Sequence, residues 1–125
     1  MRQEQNTRKT LKQRGHVRIA AVEGEIDKVV RQIVERFHPQ KIILFGSYAY
    51  GQPHEWSDLD LLVVTSHPPL REEKWKVVDE LEQEISLPVQ VIFMNAEEFQ
   101  ETRDVVGGVA YPAHQRGKVL YEPNS

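Results

Sequence analysis

Two aspartates, Asp58 and Asp60, stand two residues apart at the head of an apolar run over residues 59–64. In a β-strand side chains alternate, so that spacing puts both carboxylates on one face. Leu59, Leu61 and Val63 then point the other way, into a core. Two neighbouring carboxylates repel each other and raise one another's pKa unless a cation lies between them. Hard carboxylate oxygens on a rigid strand suit Mg²⁺, which keeps its other coordination sites for water and phosphate oxygens. Upstream, Gly46 and Ser47 directly follow a second apolar run, Lys41-Ile42-Ile43-Leu44-Phe45. A glycine there lets the backbone approach a ligand closely, and Ser47 can cap the next turn or bond a phosphate oxygen. Peptide N–H groups at the start of a helical turn favour an anion. A phosphate-gripping turn beside a metal-gripping pair is the apparatus of phosphoryl or nucleotidyl transfer.

These residues need rigid elements to hold them. The run 41–45, bounded by Pro39 and Gly46, predicts a buried strand, and so does 59–64. Before them, Ile19, Val22, Ile26, Val29, Ile33 and Phe37 step by three and four, which predicts a helix over 19–37. Pro39 stops it, because proline cannot extend a helix and disfavours helical geometry at His38. A second amphipathic helix is predicted over 70–85, with Trp75, Val78, Leu81 and Ile85 on its buried face. Pro88 opens a third strand over 89–94. Asn95 is a good N-cap, with Glu97 and Glu98 beside the positive end of the next helix, which reaches Arg103. Gly107-Gly108 breaks the chain, and a short helix over 111–116 ends with Gly117 in a C′ position. Residues 118–121 form a small edge strand. The connection between the first two strands is too short for a crossover helix, so the pairing there is antiparallel or the sheet is mixed. The fold class is α+β: a small mixed sheet with helices packed on it.

Composition narrows the class further. The chain has 125 residues, the size of one domain, with 39% apolar and 28% charged residues. No apolar run approaches the roughly 18 residues of a membrane span, and residues 1–20 lack the apolar stretch of a signal peptide. With no cysteine, disulfides, Cys-ligated zinc, iron–sulfur clusters and thiol catalysis are excluded. These facts fit a cytoplasmic protein. Net charge is −3 but uneven: residues 1–18 carry six Lys/Arg against Glu4, a balance of +5, whereas the remainder carries ten basic and eighteen acidic residues, a balance of −8. The acidic body is a poor binder of nucleic acid. Only the basic segment 1–18, read as a flexible tail before a single domain over 19–125, could touch a polyanion. The five histidines (16, 38, 54, 67, 114) show no metal-ligand spacing. Trp56 could stack on a base, though packing a loop is the simpler reading. There is no dinucleotide fingerprint and no Walker A lysine.

The segment from Gly46 to Asp60 reads G-S-x10-D-x-D. This resembles the signature of the polymerase-β-type nucleotidyltransferase superfamily, in particular its minimal nucleotidyltransferases (MNT). At average residue frequencies that spacing arises by chance in on the order of one chain per thousand of this length. The resemblance extends over residues 19–91, and Gly117-Lys118-Val119-Leu120-Tyr121-Glu122 looks like the tail of many members. It implies a polymerase-β-like fold in which Gly46 and Ser47 bind the triphosphate of ATP. Asp58 and Asp60 would bind Mg²⁺ (or Mn²⁺), an acceptor hydroxyl would attack the α-phosphate, and pyrophosphate would leave. Many minimal members are encoded beside a helical HEPN protein and act as antitoxins, adenylylating a tyrosine of the toxin. The resemblance therefore implies transfer of AMP from ATP to a protein hydroxyl, with a HEPN-type toxin as partner.

Two positions depart from the family pattern. The family usually carries a third carboxylate on the neighbouring strand, and Gln90 occupies that place. An amide is neutral and cannot take a proton, so general-base help would be absent. Many members also carry a basic residue where Tyr50 stands, so a phosphate-neutralising charge is missing there. Gln90 keeps open an alternative: a catalytically weak or inactive chain that neutralises a partner by occluding it. A nucleotidyltransferase acting on a small molecule such as an aminoglycoside is a third reading, opposed by the lack of a second domain.

Overall fold

In the computed structural model, residues 14–51, 58–85 and 87–123 are described, with side chains from residue 23 onward. The chain forms α1 (Arg14–Phe37), β1 (Lys41–Phe45), β2 (Leu59–Val64), α2 (Arg71–Glu84), β3 (Val89–Met94), α3 (Ala96–Thr102), α4 (Ala110–Arg116) and β4 (Lys118–Tyr121). The strands make one mixed sheet in the order β3-β2-β1-β4. β1 is antiparallel to both β2 and β4, and β2 is parallel to β3. The link between β1 and β2 joins antiparallel neighbours, whereas α2 carries the chain across to the parallel β3.

Alternation along the strands gives the sheet two different faces. Ile42, Leu44, Leu59, Leu61, Val63, Val89 and Val91 face α1 and α2 and form the larger core. On α1 the apolar residues Ile26, Val29 and Ile33 step by three and four and are buried against it. The two helices are joined side by side, with Gln32 Nε2 donating to Glu84 at 3.0–3.1 Å and Arg36 paired with Glu80 at 2.6 Å. Phe37 meets Phe93 of β3 edge-on, with ring centroids 4.9 Å apart. The opposite face is thinner. There Ile43, Leu62, Val64 and Met94 are covered by Phe99 of α3 and by Ala110 and Ala113 of α4.

Several sequence expectations need correction. Helix α1 begins at Arg14, five residues before the predicted start at 19. Periodicity marks only turns with apolar residues at spacing three and four, and residues 14–18 hold just Val17. In α2 the buried stripe is centred on Val77 and Leu81, so Trp75 falls on its flank and is 66% exposed. Gly117 does follow α4, but its φ of −79° is extended rather than left-handed. Glycine is required there for space: a Cβ would run into Ala113 O, Ile43 Cγ2 and Leu44 O. The capping expectation for α3 is met, as Asn95 Oδ1 accepts from Glu98 N at 2.7 Å. Residues 1–13, which include most of the basic segment, lie outside the described residues. Among the described residues no helix is long and apolar enough to cross a membrane.

Candidate active site

The site gathers at one end of the sheet. Because β1 and β2 are antiparallel, the C-terminal end of β1 meets the N-terminal end of β2, with Phe45 opposite Asp60. Because β3 runs parallel to β2, its first residues arrive at the same end, and Gln90 stands directly opposite Asp60. Asp60, Leu62 and Val64 share the thin face, so the carboxylate of Asp60 and the amide of Gln90 lie side by side beyond the Leu62 and Val64 cluster. Asp58 is exposed just ahead of β2, and Asp60 is partly buried.

Gly46 leaves β1 with a φ of +79°, a conformation glycine adopts without strain. A Cβ on Gly46 would collide with the Asp60 carboxylate, so glycine is also what lets the turn lie against β2. The Gly46 carbonyl accepts from Ala49 N at 3.0 Å and Tyr50 N at 3.1 Å, closing one helical turn that starts at Ser47. Tyr48 and Ala49 are buried in the larger core, and Tyr50 packs against it. This anchoring holds the turn rigid. It was not read from the sequence, although Tyr48-Ala49 between Ser47 and Gly51 is an apolar signal inside a polar connection. Arg116, at the end of α4, lies over the Tyr50 ring with its guanidinium carbon 4.4 Å from the centroid. Nothing local in the sequence foretells that contact. His54, Glu55 and Trp56 lie outside the described residues.

The carboxyl of Asp60 is held above its usual range, first by burial and then by the neighbouring charge of Asp58. Among the described residues no cation pairs with Asp60. A half-buried, raised carboxylate beside a second one, with no cation paired to Asp60 among the described residues, is a donor set that fits a divalent cation with oxygen ligands. No group of three or more His, Cys, Asp or Glu side chains suited to a metal occurs among the described residues. Any ion here would therefore rest on Asp58 and Asp60, with the Gln90 amide oxygen beside them.

A strand and a glycine-serine turn lead into a returning strand that carries Asp60, with Asp58 just ahead of it, the arrangement that the sequence resemblance implies. The family description "Nucleotidyltransferase domain" matches residues 26–108, and the chain belongs to that family. It is 30% identical over 77 residues to MJ1215 of Methanocaldococcus jannaschii, named as a candidate protein adenylyltransferase; the match spans 58% of this chain and 90% of that protein. Among solved structures, the fold resembles that of a toxin–antitoxin with AMP-PNP, with a TM-score of 0.59 at 22% identity, covering 82% of this chain and 74% of that one. It also resembles a tri-AMPylated Shewanella oneidensis HEPN toxin in complex with MNT antitoxin, with a TM-score of 0.55 at 19% identity, covering 80% of this chain and 71% of that one. The expected fold class, α+β with a small mixed sheet and helices packed on it, is thus the observed one, and it belongs to a nucleotidyltransferase domain.

Proposed function

We propose that this chain transfers a nucleoside monophosphate, AMP from ATP, to a hydroxyl of a partner protein, and that the partner is a HEPN-type toxin. The observation that carries the reading is the contact of two elements: the Gly46 turn lies against Asp60, so a phosphate held by the turn would lie beside the carboxylates. The names of the relatives support the acceptor class, since MJ1215 is named for protein adenylylation and the Shewanella complex contains an AMPylated HEPN toxin.

In this reading Ser47 bonds a phosphate oxygen and the Gly46 backbone admits the triphosphate without a side chain in the way. Asp58 and Asp60 would hold Mg²⁺, which when bound offsets phosphate charge and orients the reacting groups. The acceptor oxygen bonds the α-phosphorus, the bond to the β-phosphate oxygen breaks, and pyrophosphate leaves with that electron pair. The acceptor proton passes to water, because the Gln90 amide has no basic electron pair. The reading assumes the cytoplasm, where ATP is available.

The position of Gln90 favours a second reading, in which nucleotide is bound, transfer is too slow to matter and the partner is neutralised by occlusion. Transfer of labelled AMP from ATP to a co-expressed HEPN-type partner separates the two. Metal-dependent ATP binding tests what they share. Asp58→Asn with Asp60→Asn should abolish it in calorimetry while the fold survives, because the change removes repulsion rather than packing. Unchanged metal-dependent affinity in the double variant would overturn the site.

A further inference from the structure

We propose that Arg116 provides the positive charge that the Gly-Ser turn lacks at Tyr50, which makes it a triphosphate-binding residue of this chain. The proposal rests on the nucleotidyltransferase reading above and deepens it. Tyr50 belongs to the turn itself, since its N–H donates to the Gly46 carbonyl at 3.1 Å. Its ring is the platform on which the Arg116 guanidinium rests, 4.4 Å from the ring centroid. That is well inside the roughly 6 Å reach of a cation–π contact.

The approach is built into the fold rather than left to a loose side chain. Ala110 and Ala113 seat α4 on the sheet face that carries Asp60. Gly117, the next residue after Arg116, is wedged against Leu44 O and Ile43, where any Cβ would clash. Lys118 then enters β4 opposite Leu44, two residues before Gly46. The α4–β4 corner is therefore pinned at the end of β1 from which the turn departs.

The simplest competing role for Arg116 is to complement the C-terminal dipole of α4. That role needs no aromatic platform, and α4 has only seven residues. A guanidinium stacked on a ring keeps its N–H edge available for phosphate oxygens, which a point charge such as lysine does less well. Arg116 is exposed, and among the described residues no carboxylate pairs with it, so its charge is available to a ligand. Lys118 is differently placed, lining a cleft with Glu23, Asp27 and Tyr48 beside α1.

The test compares MgATP and AMP binding by calorimetry in the wild type, Arg116→Ala, Arg116→Lys and the double variant Tyr50→Arg with Arg116→Ala. A charged hydrogen-bonding group lost from a phosphate site should weaken MgATP binding about 10–100-fold. AMP, with its smaller charge, should lose far less. Arg116→Lys should fall between, and Tyr50→Arg should restore most of the MgATP affinity in the Arg116→Ala background. Equal MgATP affinity in Arg116→Ala and wild type overturns this proposal and leaves the nucleotidyltransferase reading standing. Equal losses of ATP and AMP without rescue by Tyr50→Arg mark a structural role and also overturn it. A wild-type chain that binds no MgATP overturns both. Should Arg116→Ala fail to fold, Arg116→Lys and Arg116→Gln are judged by the same ATP-against-AMP criterion.

Discussion

The two faces of β2 are drawn from one six-residue strand and do opposite things. Leu59, Leu61 and Val63 are fully buried beneath α1 and α2. Their neighbours Asp60, Leu62 and Val64 turn to the face on which the short helices α3 and α4 pack, where Leu62 and Val64 are buried and Asp60 is only partly so. Alternation thus separates stability from chemistry residue by residue. The strand can carry Asp60 beside Asp58 because Leu59, between them, and Leu61, just after them, are fully buried. The comparison makes a sharp demand: substitutions on the two faces should fail in different assays.

The largest effect is expected on the site face, at Gln90. It stands opposite Asp60 on the parallel strand, so Gln90→Asp puts a third carboxylate beside two others. Transfer of labelled AMP to the partner should rise by about 10²–10⁴-fold, the usual value of a placed general base. The melting temperature without metal should fall, because like charges cluster, and Mg²⁺ should reduce or reverse that loss. Should neither the transfer rate nor the metal response change, Gln90 does not act with the aspartates, and the site face does not extend to β3.

On the core face the effect should be on folding alone. Leu61 follows Asp60 in β2 and is fully buried on the opposite face. Leu61→Ala should cost about 2–5 kcal/mol of stability by chemical denaturation. ATP affinity of the molecules that remain folded should stay near the wild-type value. A large loss of affinity in the folded fraction would show that the faces are coupled, with core packing setting the distance between the turn and the carboxylates.

The sequence made the strands of this comparison legible and left other parts hidden. Residues 41–45, 59–64 and 89–94 are apolar runs bracketed by proline, glycine or polar turns, and they fold as strands over those bounds. The spacing of Asp58 and Asp60 was readable because strand alternation is a local rule. The phase of α2 was not, since Trp75, Val77 and Val78 are all plausible core residues and only the seating of the helix on β3 chooses among them. The Arg116–Tyr50 contact was hidden for a different reason. It is made when β4 returns beside β1, and no pattern near residue 50 or near residue 116 records that pairing.

The smallest expected effect concerns the tension that the site face carries without metal. Asp60 is raised above the ordinary carboxylate value of 3.8 by burial and by Asp58, so the fold favours its protonated form. The sign follows from linkage: a carboxyl whose pKa is raised on folding contributes stability when protonated and loses it as pH climbs through the folded-state pKa. Asp60→Asn removes that titration while keeping the shape. In chelator-treated protein, the variant's melting temperature should therefore gain on the wild type as pH rises from below the carboxylate range, then hold a constant lead near neutrality. The lead should be small, because Asp60 is only partly shielded from water. Added Mg²⁺ should erase or invert it, since the wild type alone keeps both carboxylates for the ion. A gap that stays flat with pH in chelator, or a wild type that is the more stable protein there, would mean that Asp60 is comfortable without a cation. The contrast between a relaxed core face and a strained site face would then be lost.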